Sequence, residues 1–137
     1  NEQKLIEEVL QLVRCHMRPF SMWKSKAQDG AVKRLSCQVS SIERLLRVCQ
    51  ADDLGRPPFP SNEEPILWLR EKAEKLKVIS ESPKMIFLGR HLILLGLKPN
   101  PRFKGILEKM YAHQLDGEFS DLPSAIEFFN NHKSDLL

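Results

Sequence analysis

The stretch from Gly89 to Gly117, GRHLILLGLKPNPRFKGILEKMYAHQLDG, places the tightest constraint on what this chain can fold into. Pro99 and Pro101 each fix φ and donate no backbone hydrogen bond, so no helix can run through them. Upstream, Leu92 to Leu95 read as a short apolar helix that Gly96 closes. Downstream, Asn100 is expected to cap a second helix, with Pro101 at the first helical position, where a missing N–H costs nothing. In that helix Phe103, Ile106, Leu107, Met110 and Leu115 form one apolar stripe. Arg102, Lys104, Lys109 and His113 lie off the stripe, and Asp116-Gly117 ends it. The pattern predicts a stiff turn between two helices, ringed by positive charge.

The remaining segments also read as helices. Leu5, Val9, Leu12 and His16 recur at helical spacing and predict an amphipathic helix ending near Arg18-Pro19. Phe20 to Ala27 is expected to be a connection. Asp29-Gly30 starts a helix with Leu35, Val39, Ile42, Leu46 and Cys49 on one side, which Ser40-Ser41 can break. The Gly55-Arg56-Pro57-Pro58-Phe59-Pro60 run is the clearest boundary. Ser61-Asn62 then supplies a cap for a helix carrying Ile66, Leu69, Ala73, Leu76 and Ile79. Ser120-Asp121 with Pro123 starts a last short helix through Phe128 and Phe129. Strand signals are nearly absent. The expected fold is all-α, an irregular bundle of about six to eight helices in two packed subdomains. The expected segments are 1–56, a proline-rich linker and connecting helix over 57–82, and 83–137.

Charge is segregated along the chain, although the formal net charge is only +3. Arg14 to Arg34 holds six Lys or Arg and one Asp, and Pro83 to Gly117 holds six against Glu108 and Asp116. Two basic segments make an electrostatic footprint for a polyanion. Arg90 and His91 open the short helix after Gly89, and Lys98, Asn100, Arg102 and Lys104 occupy or flank the turn. Arg90, Lys98, Asn100, Arg102 and Lys104 are the candidate RNA-binding residues, gripping a duplex backbone by shape rather than by sequence. Trp23, Trp68 and Tyr111 are too scattered in sequence to argue a base-stacking platform and are assigned to the core.

Enzymatic signatures are missing. The chain has no G-x-S-x-G elbow, P-loop or G-x-G-x-x-G. Cys15, Cys37 and Cys49 are odd in number and lack C-x-x-C spacing, which fits reduced thiols in a cytoplasmic setting. No apolar run approaches the length of about 20 residues that a membrane span needs. His16 and Asp52 are polar residues that extend apolar stripes, and a carboxylate aimed at a core needs a partner. They are a satisfied core histidine and a capped or salt-bridged aspartate, with Arg44 or Arg56 as partner if the pair is structural, or two ligands of a metal site, bound here or left as an incomplete half-site.

The pattern carried by Gly89, Leu92, Gly96, Leu97, Pro99, Pro101, Phe103, Ile106, Leu107, Leu115, Asp116 and Gly117 resembles the C-terminal region of bacterial tRNA nucleotidyltransferases. These are the CCA-adding enzymes of the poly(A) polymerase type. Asn100 stands where glycine is expected in that pattern, and Lys104-Gly105 where glycine often comes first. L-V-x-x-H-M at Leu12–Met17 and A-D-x-x-G-R at Ala51–Arg56 resemble the second half of an HD-type metal phosphohydrolase domain, without its His-Asp doublet.

The resemblance implies a parent enzyme that adds or repairs the 3′-terminal CCA of tRNA from CTP and ATP with Mg2+. It also implies that this chain, opening at Asn1, is a C-terminal fragment without the catalytic head, inactive alone and binding no cofactor. In that reading 1–56 is an HD-like half-domain and 83–137 a tail that docks the tRNA elbow and acceptor stem. The two other readings are half of a metal-dependent phosphohydrolase and a helical protein-interaction module.

Overall fold

The computed structural model describes residues 1–55 and 62–137, and among them every regular element is a helix. The all-α expectation holds. The proline-rich stretch from Arg56 to Pro60, and the Ser61 cap, lie outside the described residues. The chain divides into two compact units, Asn1–Pro83 and Lys84–Leu137, each with its own apolar core.

The first unit contains α1 (Glu2–Cys15), α2 (Arg18–Ser25), α3 (Asp29–Val39), α4 (Ile42–Leu54) and α5 (Glu64–Lys75). Arg18-Pro19 does not end a helix but begins one. Proline fits the first turn, where its missing N–H has no helical partner, and Pro19 stands there in α2. The segment expected to be a connection is therefore mostly helical. Asp29 opens α3 as expected, and Ser40 and Ser41 separate α3 from α4. Ser40 adopts φ 62°, and the Ser41 hydroxyl accepts from the Arg44 N–H at 3.3 Å to cap α4. Val32, Leu35, Ile42, Leu45, Leu46, Leu69 and Ala73 are fully buried together. The helix α5 thus belongs to the first core, and the Glu43 N–H donates to the Ile79 carbonyl at 2.9 Å.

One expected core face is not buried. On α1 only Leu12 and Cys15 pack on the core, while Leu5, Ile6, Val9, Leu10 and Val13 are about half exposed. Periodicity identifies an apolar arc, but this arc is wider than the core it meets.

The helix α2 ends on Lys26 at φ 55°, ψ 52°, and the Ala27 N–H reaches back to the Met22 carbonyl at 2.9 Å. This is the left-handed helix stop that usually carries glycine. Lys26→Gly is expected to stabilise the first unit by about 0.5–1 kcal/mol, the relief of a side chain in the left-handed region less the entropy of the extra glycine. A raised midpoint in chemical denaturation followed by tryptophan fluorescence checks it.

The second unit contains α6 (Gly89–Leu94), α7 (Phe103–Leu115), α8 (Leu122–Asn131) and α9 (Lys133–Leu136). Phe87, Leu92, Met110, Ala125 and Phe129 form its buried centre. Asp121 caps α8, its carboxylate accepting from the Ser124 N–H at 2.9 Å. Hydrogen bonds from the Ser124 hydroxyl and N–H hold the Asp121 carboxyl below the usual carboxylate range. The cap is therefore present above that range and is lost as acidification passes through the lowered pKa.

Candidate functional site

The basic turn of the second unit is built in steps from the backbone. Leu88 is extended, and the helix after it is only six residues long. His91 is 6% exposed, and its Nδ1 accepts from the Leu88 N–H at 2.9 Å. It also lies beside the Phe87 ring, with centroids 5.8 Å apart. His91 is thus a capping residue of the core and not a phosphate contact. Gly89 packs beside Phe103 and Leu107, whose side chains lie 3.9 Å from where its Cβ would be. Gly96 stops the helix at φ 96°, where most side chains are strained, and the Leu97 N–H donates to the Leu92 carbonyl at 3.1 Å.

Asn100 then organises the turn. Its Nδ2 donates to the Lys98 carbonyl at 2.9 Å, and its Oδ1 accepts from the Arg102 N–H at 2.8 Å. Helix α7 starts two residues later than the sequence suggested, at Phe103, because Asn100 closes a separate turn over Pro101 and Arg102. Both ends of the Asn100 amide are engaged inside the turn, so this residue positions the cations around it. Arg90, Lys98, Arg102 and Lys104 are all exposed, and none forms an ion pair with another described residue. Gln114, which the sequence did not single out, locks the approach to this region. It is 8% exposed, donates to the Lys84 carbonyl at 2.7 Å and accepts from the Ile86 N–H at 3.0 Å.

In the first unit His16 and Asp52 line one pocket of about 280 Å³, with Cys49, Asp53 and Asn62. The His16 Nδ1 lies within hydrogen-bond reach of the Val13 carbonyl, which leaves Nε2 as the basic ring nitrogen. The Cys49 thiol donates to the His16 carbonyl at 3.0 Å. Arg44, one expected partner of Asp52, lies 3.8 Å from Glu8, and Arg56, the other, lies outside the described residues. Among the described residues no group of three or more His, Cys, Asp or Glu is arranged to hold a metal ion.

Burial, and then the Asp52 charge, push the Cys49 thiol up to about 11. At mildly alkaline pH Cys49 therefore stays protonated, and its alkylation is expected to run roughly 100-fold slower than that of the exposed Cys37. Mass spectrometry of partly alkylated protein reads this directly. The gap should close as pH rises toward the shifted value.

The structure also assembles a pocket that the sequence did not show. Trp23 of α2 and Trp68 of α5 line one opening of about 530 Å³ together with Lys24, Lys26 and Lys72. Compared with protein-family models, curated proteins and solved structures, the chain matches none. No helix among the described residues is long and apolar enough to cross a membrane.

Proposed function

We propose that this chain is the RNA-docking, helical part of a tRNA nucleotidyltransferase-type protein, positioning tRNA for chemistry performed elsewhere in that protein. The observation that carries the reading is the turn from Lys98 to Lys104, in which exposed cations are held by two prolines and the Asn100 hydrogen bonds. A stiff turn that presents cations suits a phosphate backbone of fixed geometry, since little backbone freedom remains to be lost on binding. The resemblance supplies the rest: an A-form stem as ligand, a cytoplasmic setting, and CTP, ATP and Mg2+ as requirements of the parent enzyme. On this reading the fragment contributes orientation, and it adds no nucleotides alone.

The second reading, half of an HD-type phosphohydrolase, is favoured by the placement of His16 and Asp52 at one pocket. The exposed apolar face of α1 suits it as well, because a neighbouring half-domain would cover Leu5, Val9 and Val13.

Binding of the chain to tRNA, to an acceptor-stem minihelix and to single-stranded RNA of equal length, over a salt series, tests the first reading. Comparable affinity for tRNA and the minihelix, above that for the single strand and falling steeply with salt, is expected. A minihelix bound no better than the single strand would overturn it. Divalent metal bound by a longer chain that includes a His-Asp pair would favour the second.

A further inference from the structure

Trp23 and Trp68 are far apart in sequence, and the packing of α2 on α5 brings both to one opening. They are also the two tryptophans of the chain. Neither is fully buried, although Trp68 packs in part against the first core and Trp23 lies near Phe20, with centroids 6.0 Å apart. Three lysines complete the lining. Lys24 and Lys26 are exposed, and Lys72 meets Asp29 at 3.4 Å. Among the described residues Asp29 is the acid paired with this lining, so the wall keeps a positive excess.

Lys26 is the telling residue. It occupies a left-handed backbone position where glycine would sit without strain, and it brings an ammonium group to the rim instead.

The chemistry of this lining selects its ligand. An apolar ligand would leave the Lys24 and Lys26 ammonium groups without a counter-charge, and a bare anion would make no use of two indoles. A planar aromatic group carrying phosphate uses both. We infer that the Trp23–Trp68 pocket binds a nucleotide unit, its base against the indoles and its phosphate among Lys24, Lys26 and Lys72. Its volume of about 530 Å³ falls in the range of small-ligand sites. Base–indole stacking and ammonium groups along the backbone are the means by which single strands are held without regard to sequence. The unit can be a free nucleotide or one residue of an RNA strand. The site is made of first-unit residues alone, so it stands or falls separately from the docking turn of the second unit.

Because both tryptophans line the pocket, intrinsic fluorescence of the full chain reports occupancy directly. The probes are AMP, hexa-adenylate and ribose 5-phosphate, with excitation at the red edge of the indole band, where adenine does not absorb. Saturable quenching by AMP is expected, with ribose 5-phosphate at least about tenfold weaker because it lacks the base to stack. Equal binding of AMP and hexa-adenylate assigns the site to a free nucleotide, and hexa-adenylate tighter by about tenfold or more assigns it to a strand.

The Lys26→Gly variant removes a cation at a position where glycine fits, and Lys24→Glu adds a reversal on an exposed residue. Together they should weaken AMP about tenfold and flatten its salt dependence at unchanged helicity. No quenching by AMP or hexa-adenylate, ribose 5-phosphate binding as tightly as AMP, or an unchanged affinity in a folded double variant would each overturn the assignment.

Discussion

Phe129→Ala is expected to unfold the second unit at room temperature. Phe129 is fully buried on α8 and stacks on Phe87 with centroids 5.3 Å apart and planes at 25°. Phe87 is itself 1% exposed and adjoins His91, the residue that caps α6. Truncating a buried phenylalanine costs about 3–5 kcal/mol, from lost transfer energy and the cavity left behind. The unit spans Lys84–Leu137, little more than fifty residues, and a domain of that size holds only about 3–8 kcal/mol in total. The loss is therefore comparable with the whole stability of the unit. Amide hydrogen exchange is the suitable measurement, because protection in α6, α7 and α8 should collapse together. Wild-type protection in those helices would show that the core does not depend on this ring. Phe129→Leu keeps most of the volume and should cost less than about 1.5 kcal/mol, so its helices stay protected.

What the sequence disclosed follows the range of the interaction that carries it. Local signals survive into the structure: the Ser40-Ser41 break, the Gly96 stop at φ 96° and the Asp121 cap each act within a few residues. Pro19 was legible but ambiguous, since a proline marks the end of one helix and the first turn of another equally well. The sequence marks Asn100 as a cap, yet its bond to the Arg102 N–H closes a turn before the helix rather than the helix itself.

Long-range facts were not legible. A lone histidine after Gly89-Arg90 reads as a phosphate contact or a cap, and only the burial of His91 and its bond to the Leu88 N–H decide between them. The width of the apolar arc on α1 says nothing of what covers it. Most consequential, the two tryptophans meet only because α2 packs on α5, and no spacing rule connects a residue before the proline-rich run to one after it.

Reversing Lys98, Arg102 and Lys104 to glutamate should weaken RNA binding more than any other change to the docking turn. Each cation that neutralises a phosphate releases a counterion, so losing three should reduce the log–log salt slope by about 2–3. Replacing attraction by repulsion at three positions should lower low-salt affinity by roughly 100-fold. The fold should tolerate the change: all three side chains are exposed, none is in an ion pair with another described residue, and such surface substitutions cost about 0.5 kcal/mol or less. Asn100→Ala separates placement from charge. It removes the hydrogen bonds to Lys98 and Arg102 but no cation, so affinity should fall by a smaller factor while the salt slope persists. Quenching of Trp23 and Trp68 by AMP serves as the internal control, because that pocket contains none of the altered residues. If the triple variant stays folded and binds tRNA with wild-type affinity and salt slope, the turn is a structural corner and RNA contact must be sought elsewhere. If affinity and slope fall while AMP quenching is unchanged, the two basic segments of the chain have separate ligand-binding roles.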